Sequence, residues 1–210
     1  MIQIVSVNVG TPKIIQRDGH EILTGIFKSP VDGRVAVRTL NLDGDKQADL
    51  KVHGGVYKAV YAYPAEHYPF WGSIYPELEL RWGSFGENLT TLGMNESSVC
   101  VGDQFRAGTA ILQVTQPRRP CFKLAAKFDD DEIIDTFSTS GRSGVYFSVV
   151  REGELQAGDE MELVHRDAER FSITDVLQLY SRPSREIVER ALRVEALPPG
   201  LRQRLRKLKG

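Results

Sequence analysis

The sequence predicts a mainly β fold, a barrel or sandwich of short strands, with a small helical appendage at its C-terminal end. Three observations predict it. Up to about residue 165 the apolar residues fall in short runs broken by turn signals. Nineteen glycines and ten prolines supply many tight connections. From Arg170 onward the apolar spacing becomes helical.

The elements follow in order. Ile2–Val9 alternates loosely and is rich in β-branched residues, which favours a strand. Arg17-Asp18-Gly19 lies between runs at 13–16 and 21–27, a hairpin signal. Residues 35–38 read as a short strand, and Asp43-Gly44-Asp45 turns the chain. Residues 59–63 form an apolar, aromatic strand that stops at Pro64, near the first position of a helix expected over 65–71. Gln104–Ala107 and residues 109–115 pair around Gly108. Helices are expected over Phe122–Phe128 and 131–137, then strands over 144–150 and Glu160–His165. Val101-Gly102-Asp103 and Ala157-Gly158-Asp159 share one device, a Gly-Asp turn feeding a strand. In the tail, Ser172 caps a helix striped by Ile173, Val176, Leu177 and Tyr180. Ser184 caps a second, striped by Ile187, Val188, Ala191 and Leu192. Pro198-Pro199-Gly200 breaks the chain before a third, striped by Leu201, Leu205 and Leu208. Residues 1–167 are expected as the β domain and 168–210 as the three-helix segment.

Bulk properties exclude several classes. A chain of 210 residues buries roughly 70% of its unfolded surface and needs no staples. A net charge of −1 argues against nucleic acid or a membrane surface as partner. The N-terminal run lacks the positive segment of a signal peptide, and no apolar run approaches the roughly 20 residues of a membrane span. Two cysteines are too few for a disulfide scaffold, so a cytoplasmic location with reduced thiols is expected. Residues 182–210 hold nine basic residues against three glutamates. Their plain reading is the solvated face of a small helical bundle. Contact with nucleic acid or an acidic partner is the sharper one.

Four segments concentrate chemistry. In Gln116-Pro117-Arg118-Arg119-Pro120-Cys121 two prolines stiffen a loop that presents Cys121 beside two permanent cations. Nearby cations favour thiolate, the form that binds metal or attacks. A buried structural cysteine, the plain alternative, needs none of this, and Cys100 fits that role. Around Lys51, His53, Gly54 and Gly55 the paired glycines let backbone N–H groups approach an anion, or they make a solvated turn. Gly86, Glu87 and Asn88 precede a strand and bond either to ligand heteroatoms or to their own turn. Arg142 between glycines suits phosphate, and equally a loop.

His53-Gly54-Gly55, Phe85-Gly86-Glu87-Asn88-Leu89 and Gln116-Pro117-Arg118-Arg119-Pro120-Cys121, in that order, resemble the MOSC domain, the C-terminal domain of molybdenum cofactor sulfurase. The likeness is greatest to the stand-alone bacterial YiiM-type group, and the helical tail resembles the appendage of that group. The resemblance implies a closed, complex β-barrel related to the one inserted in pyruvate kinase. It implies a molybdopterin-type molybdenum cofactor, with Cys121 as protein ligand to the metal. The implied activity is reduction of N-hydroxylated compounds, hydroxylaminopurines among them, to amines. Electrons would come from a separate flavoprotein or iron–sulfur protein. Candidate cofactor-binding residues are Lys51, His53, Gly54, Gly55, Gly86, Glu87, Asn88, Arg118, Arg119 and Arg142, and His53 is the candidate proton donor. A homodimer stays open. So do two other functions for the same thiol, a persulfide carrier and a cofactor-binding or delivery protein without turnover.

Overall fold

Period-two burial along short strands builds the frame. The structure, a computed structural model, describes residues 1–48 and 54–209. Its strands are β1 (Ile2–Val9), β2 (Lys13–Arg17), β3 (His20–Thr24), β4 (Ser29–Val31), β5 (Val35–Val37), β6 (Val60–Pro64), β7 (Leu89–Leu92), β8 (Gln104–Ala107), β9 (Ala110–Pro117), β10 (Val145–Arg151), β11 (Gly153–Leu155) and β12 (Glu160–His165). Its α-helices are α1 (Tyr68–Ile74), α2 (Phe122–Phe128), α3 (Ile133–Thr139), α4 (Ile173–Ser181), α5 (Arg185–Arg193) and α6 (Pro199–Lys209). A 3-10 turn, Ala65–His67, occupies the start of the helix expected over 65–71.

Seven strands close into a barrel in the order β1, β12, β8, β9, β10, β6, β7 and back to β1. All neighbours in the ring are antiparallel except β6 and β7. Closure leaves no unpaired edge within the ring. Strand β4 adds to β1, while β2–β3 and β5–β11 form separate two-stranded pieces. The interior follows the alternation at Leu112 and Val114 of β9 and at Val145 and Phe147 of β10, all fully buried, while a register shift between Ile4 and Ser6 lets β1 bury both Ile4 and Val7.

Strand β6 divides two cores. Val60 and Ala62 join the barrel interior. Tyr61 and Tyr63, on the opposite face, join a second cluster with Trp71, Phe85, Leu124, Phe128 and Phe137. That cluster lies where α1, α2 and α3 contribute to it, which is why a five-residue strand is buried along its whole length. The Trp71 indole N–H donates to the Tyr63 hydroxyl (2.6 Å), so neither polar atom is stranded inside.

The tail is stitched to the barrel. Val101 N–H donates to the Phe171 carbonyl (2.9 Å) and Ile173 N–H to that of Val99 (3.0 Å). Phe171, Ile173, Val176, Ile187, Val188 and Leu205 belong to the same hydrophobic cluster as the barrel interior. Ser172 caps α4 in a reciprocal box with Asp175, and Ser184 caps α5. The two Gly-Asp turns are the same device: Gly102 and Gly158 have φ of 92° and 91°. In each turn the following aspartate accepts from a backbone N–H three residues back, Cys100 (2.9 Å) or Gln156 (3.0 Å).

Candidate functional site

Strand β9 ends at Pro117, and the loop 118–120 carries the chain to Cys121, the N-cap residue of α2. The extended backbone of Cys121 (φ −141°, ψ 169°) holds its half-buried thiol at the wall of an open cleft of about 650 Å³. The loop after β3, the segment 45–48 and the turn at 86–88 supply the other walls. Six cations line it, Lys28, Lys46, Lys58, Arg118, Arg119 and Lys123, against one carboxylate among the described residues, Asp45.

Arg118 forms the floor. It is buried, donates to the Phe85 carbonyl, and stacks 5.0 Å from the Tyr61 ring and 5.8 Å from the Phe137 ring. Burial alone would lower its pKa. The phenols of Tyr61 and Tyr146 and the Cys121 thiol outweigh burial and hold it above the ordinary guanidinium value. Opposite lies a second buried charge. Lys28 pairs with Asp45, whose carboxylate also accepts from Gly10 N–H (2.9 Å) and from the Asn88 amide (2.9 Å). Burial lowers the Lys28 pKa, and Asp45 opposes that fall. Burial likewise lowers that of Lys58. Burial raises the phenols of Tyr61 and Tyr146, so both keep their protons. Gly86 (φ 74°) also lines the cleft, and a Cβ there would meet Ile26 Cγ1 at 2.8 Å.

The sequence-derived candidates separate. Cys121, Arg118, Arg119, Gly86 and Asn88 meet in the cleft. Gly54 and Gly55 line an adjoining groove instead. Glu87, expected at a cofactor, is fully buried and does not line the cleft. It accepts from Gly83 N–H (2.8 Å), Phe85 N–H (3.0 Å), the Thr90 hydroxyl (3.0 Å) and the Tyr68 hydroxyl, so its lone pairs hold the turn. Arg142, expected at phosphate, also stands apart from the cleft. Its guanidinium lies 3.8 Å from the Phe70 ring and donates to the Ser140 carbonyl (3.2 Å), outside the cleft. Lys51 and His53 lie outside the described residues. Sequence reasoning missed Lys28, Asp45, Lys123 and Tyr146 as site residues. Only the folded barrel brings β10 and the 28–45 region to Cys121.

A family model of the MOSC domain matches residues 49–162. The "Uncharacterized protein YflK" of Bacillus subtilis (strain 168) is 40% identical over 208 residues, 98% of this chain and 94% of that protein. A "Reductase" of Gibberella moniliformis is 35% identical over 161 residues, 75% of this chain but only 28% of that protein. Among solved structures, YiiM from Geobacillus stearothermophilus superposes with a TM-score of 0.83 at 35% identity, covering 100% of both chains.

Proposed function

Because the chain belongs to the MOSC domain family, we propose that it reduces N-hydroxylated compounds to amines, using a molybdenum cofactor held through the Cys121 thiolate. The coarser function, one related to the molybdenum cofactor, comes with the family. The observation that carries the finer reading is a single thiol set among six cations in one cleft.

The donor set fits such a group. A thiolate is the matching protein ligand for a soft, sulfur-bound metal. The cofactor's phosphate asks for cationic donors, which Lys46 and Lys123 provide, each charge-assisted bond contributing roughly 1.5–3 kcal/mol. When bound, the cofactor would supply the redox metal.

The net conversion takes R–NH–OH, two electrons and two protons to R–NH2 and water. Electrons would arrive from an external flavoprotein or iron–sulfur protein. The chain's own part is binding and proton management. Arg118, kept charged beneath the cleft, holds a positive potential that favours bound anions. Tyr61 already donates to the Ser143 carbonyl (2.8 Å) and so serves as fixed wall rather than acid. Lys58, its ammonium made more acidic by burial, is a proton source at the cleft. The segment holding His53, the other candidate acid, is outside the described residues.

The test is elemental analysis and activity together. Protein made in a molybdopterin-competent host should carry about one molybdenum per chain and reduce hydroxylaminopurine with a chemically reduced viologen as donor. Cys121→Ala should lose at least about 10-fold in both, since changing even a group that only orients a metal ligand loses roughly 10- to 100-fold in metal affinity. Full activity in metal-loaded Cys121→Ala overturns the ligand assignment. Bound cofactor without turnover would assign a delivery role instead.

A further inference from the structure

We propose that the substrate carries a phosphate monoester, and that this phosphate is bound in the groove between the barrel and the C-terminal helices. The inference rests on the reductase reading and deepens it. If the cofactor fills the cleft, the substrate needs separate room within reach of Cys121. A groove of about 930 Å³ adjoins the cleft and shares Lys58 and Arg119 with it. Its far wall is the tail, through Tyr180 of α4 and Leu201 and Arg204 of α6.

The chemistry of the groove selects its ligand. Lys58, Arg119 and Arg204 line it, and no carboxylate does among the described residues. The Arg119 guanidinium lies 5.1 Å from the Tyr180 ring, and the charges of Arg119 and Arg204 both act on the Tyr180 hydroxyl. The Arg119 guanidinium thus faces that ring at the junction of barrel and tail, and Arg204 lines the same groove. Three other tail arginines are spent on acids: Arg185 on Glu189, Arg190 on Asp175 and Arg193 on Glu169. Arg119 and Arg204 have no such ion pair among the described residues. A phosphate monoester, with a charge near −1.5 to −2 at neutral pH, fits paired guanidinium forks. Tyr57 and Tyr180 add ring surface for a planar substrate on its way to the thiol.

The ligand pair for the test is the riboside of hydroxylaminopurine and its phosphate monoester. Calorimetric binding to the full chain, made in the molybdopterin-competent host, should favour the phosphate ester by about 10-fold or more. Arg204→Gln should bring the two affinities within about twofold while leaving riboside binding unchanged. Arg204 is exposed on α6, so a thermal melt should match that of the parent. Equal affinities in the parent, or a phosphate preference that survives Arg204→Gln, would overturn the proposal. Viologen-driven turnover separates the two claims. Phosphate-dependent binding with no reduction of either compound retires the reductase reading and keeps the groove. Equal affinity with normal reduction does the reverse.

Discussion

The Lys127 ammonium donates to the carbonyl oxygens of Ile26 (3.2 Å) and Gly83 (2.9 Å), yet burial lowers its pKa from 10.5 to about 8. Below pH 8 both native and unfolded chains hold the proton, and folding carries the whole penalty of burying the charge. Between about pH 8 and 10.5 the unfolded chain keeps a proton that the native chain has released. Stability must then rise with pH, by up to about 1.4 kcal/mol per unit. Lys127→Met removes that proton, so the parent should gain unfolding midpoint over the variant from pH 8 to pH 10. Parallel curves would show that the group titrates normally. Lys28 shifts in the same direction but is present in both chains, so the difference isolates Lys127. At this scale the sequence reveals what is local. Cys121 and Arg118 lie three positions apart, each with a proline before it in the stretch 117–121, so their chemistry shows in six residues. Glu87 misleads because a carboxylate that braces its own turn and one that meets a ligand look alike in sequence. Lys28 and Tyr146 show no signal, because burial and convergence decide their role and both come from distant chain.

Among the elements, α4 depends on its first turn. The Ser172 hydroxyl accepts from Asp175 N–H (3.0 Å) and the Asp175 carboxylate from Ser172 N–H (2.9 Å). Ser172→Ala should lower the denaturation free energy by about 1 kcal/mol, measured in urea with an unchanged slope. A neutral result would place the stability of α4 wholly in Ile173 and Val176. Phe137→Ala should cost more, about 3–5 kcal/mol, because the ring is buried between Tyr63 and Trp71 at 6.1 and 5.7 Å. Elements with a clear start or stop were readable: α2 spans Phe122–Phe128 and β12 spans Glu160–His165, as the sequence predicts. Strands β4 and β11 had no separate expectation. Each is three residues long, too short for an alternation to register. Strand β7 was anticipated only as a start after Asn88. Its Leu89, Thr90 and Thr91 are all buried, which erases the in–out pattern.

At the scale of the molecule, barrel and tail share one apolar interior. Thermal or urea unfolding should therefore be a single transition. Far-ultraviolet dichroism follows all helices and strands, and tryptophan fluorescence follows Trp71 in the second core. The two should coincide. Separated midpoints would make the helical segment an independently melting unit. The closed ring of strands, evident in the sequence only as many short strands, depends on pairings between distant segments, which a local pattern does not display. Ring closure also bears on how the chain is made. Ile2 and Gln3 pair with Met161 and Glu160, so the ring cannot close until the last strand has left the ribosome, although β1 can pair earlier with β4 and β7. At roughly 5–20 residues per second, that leaves the ring open for on the order of 10–30 s after β1 is made. Late closure of the barrel, after most of the chain has emerged, is the behaviour such an ordering imposes.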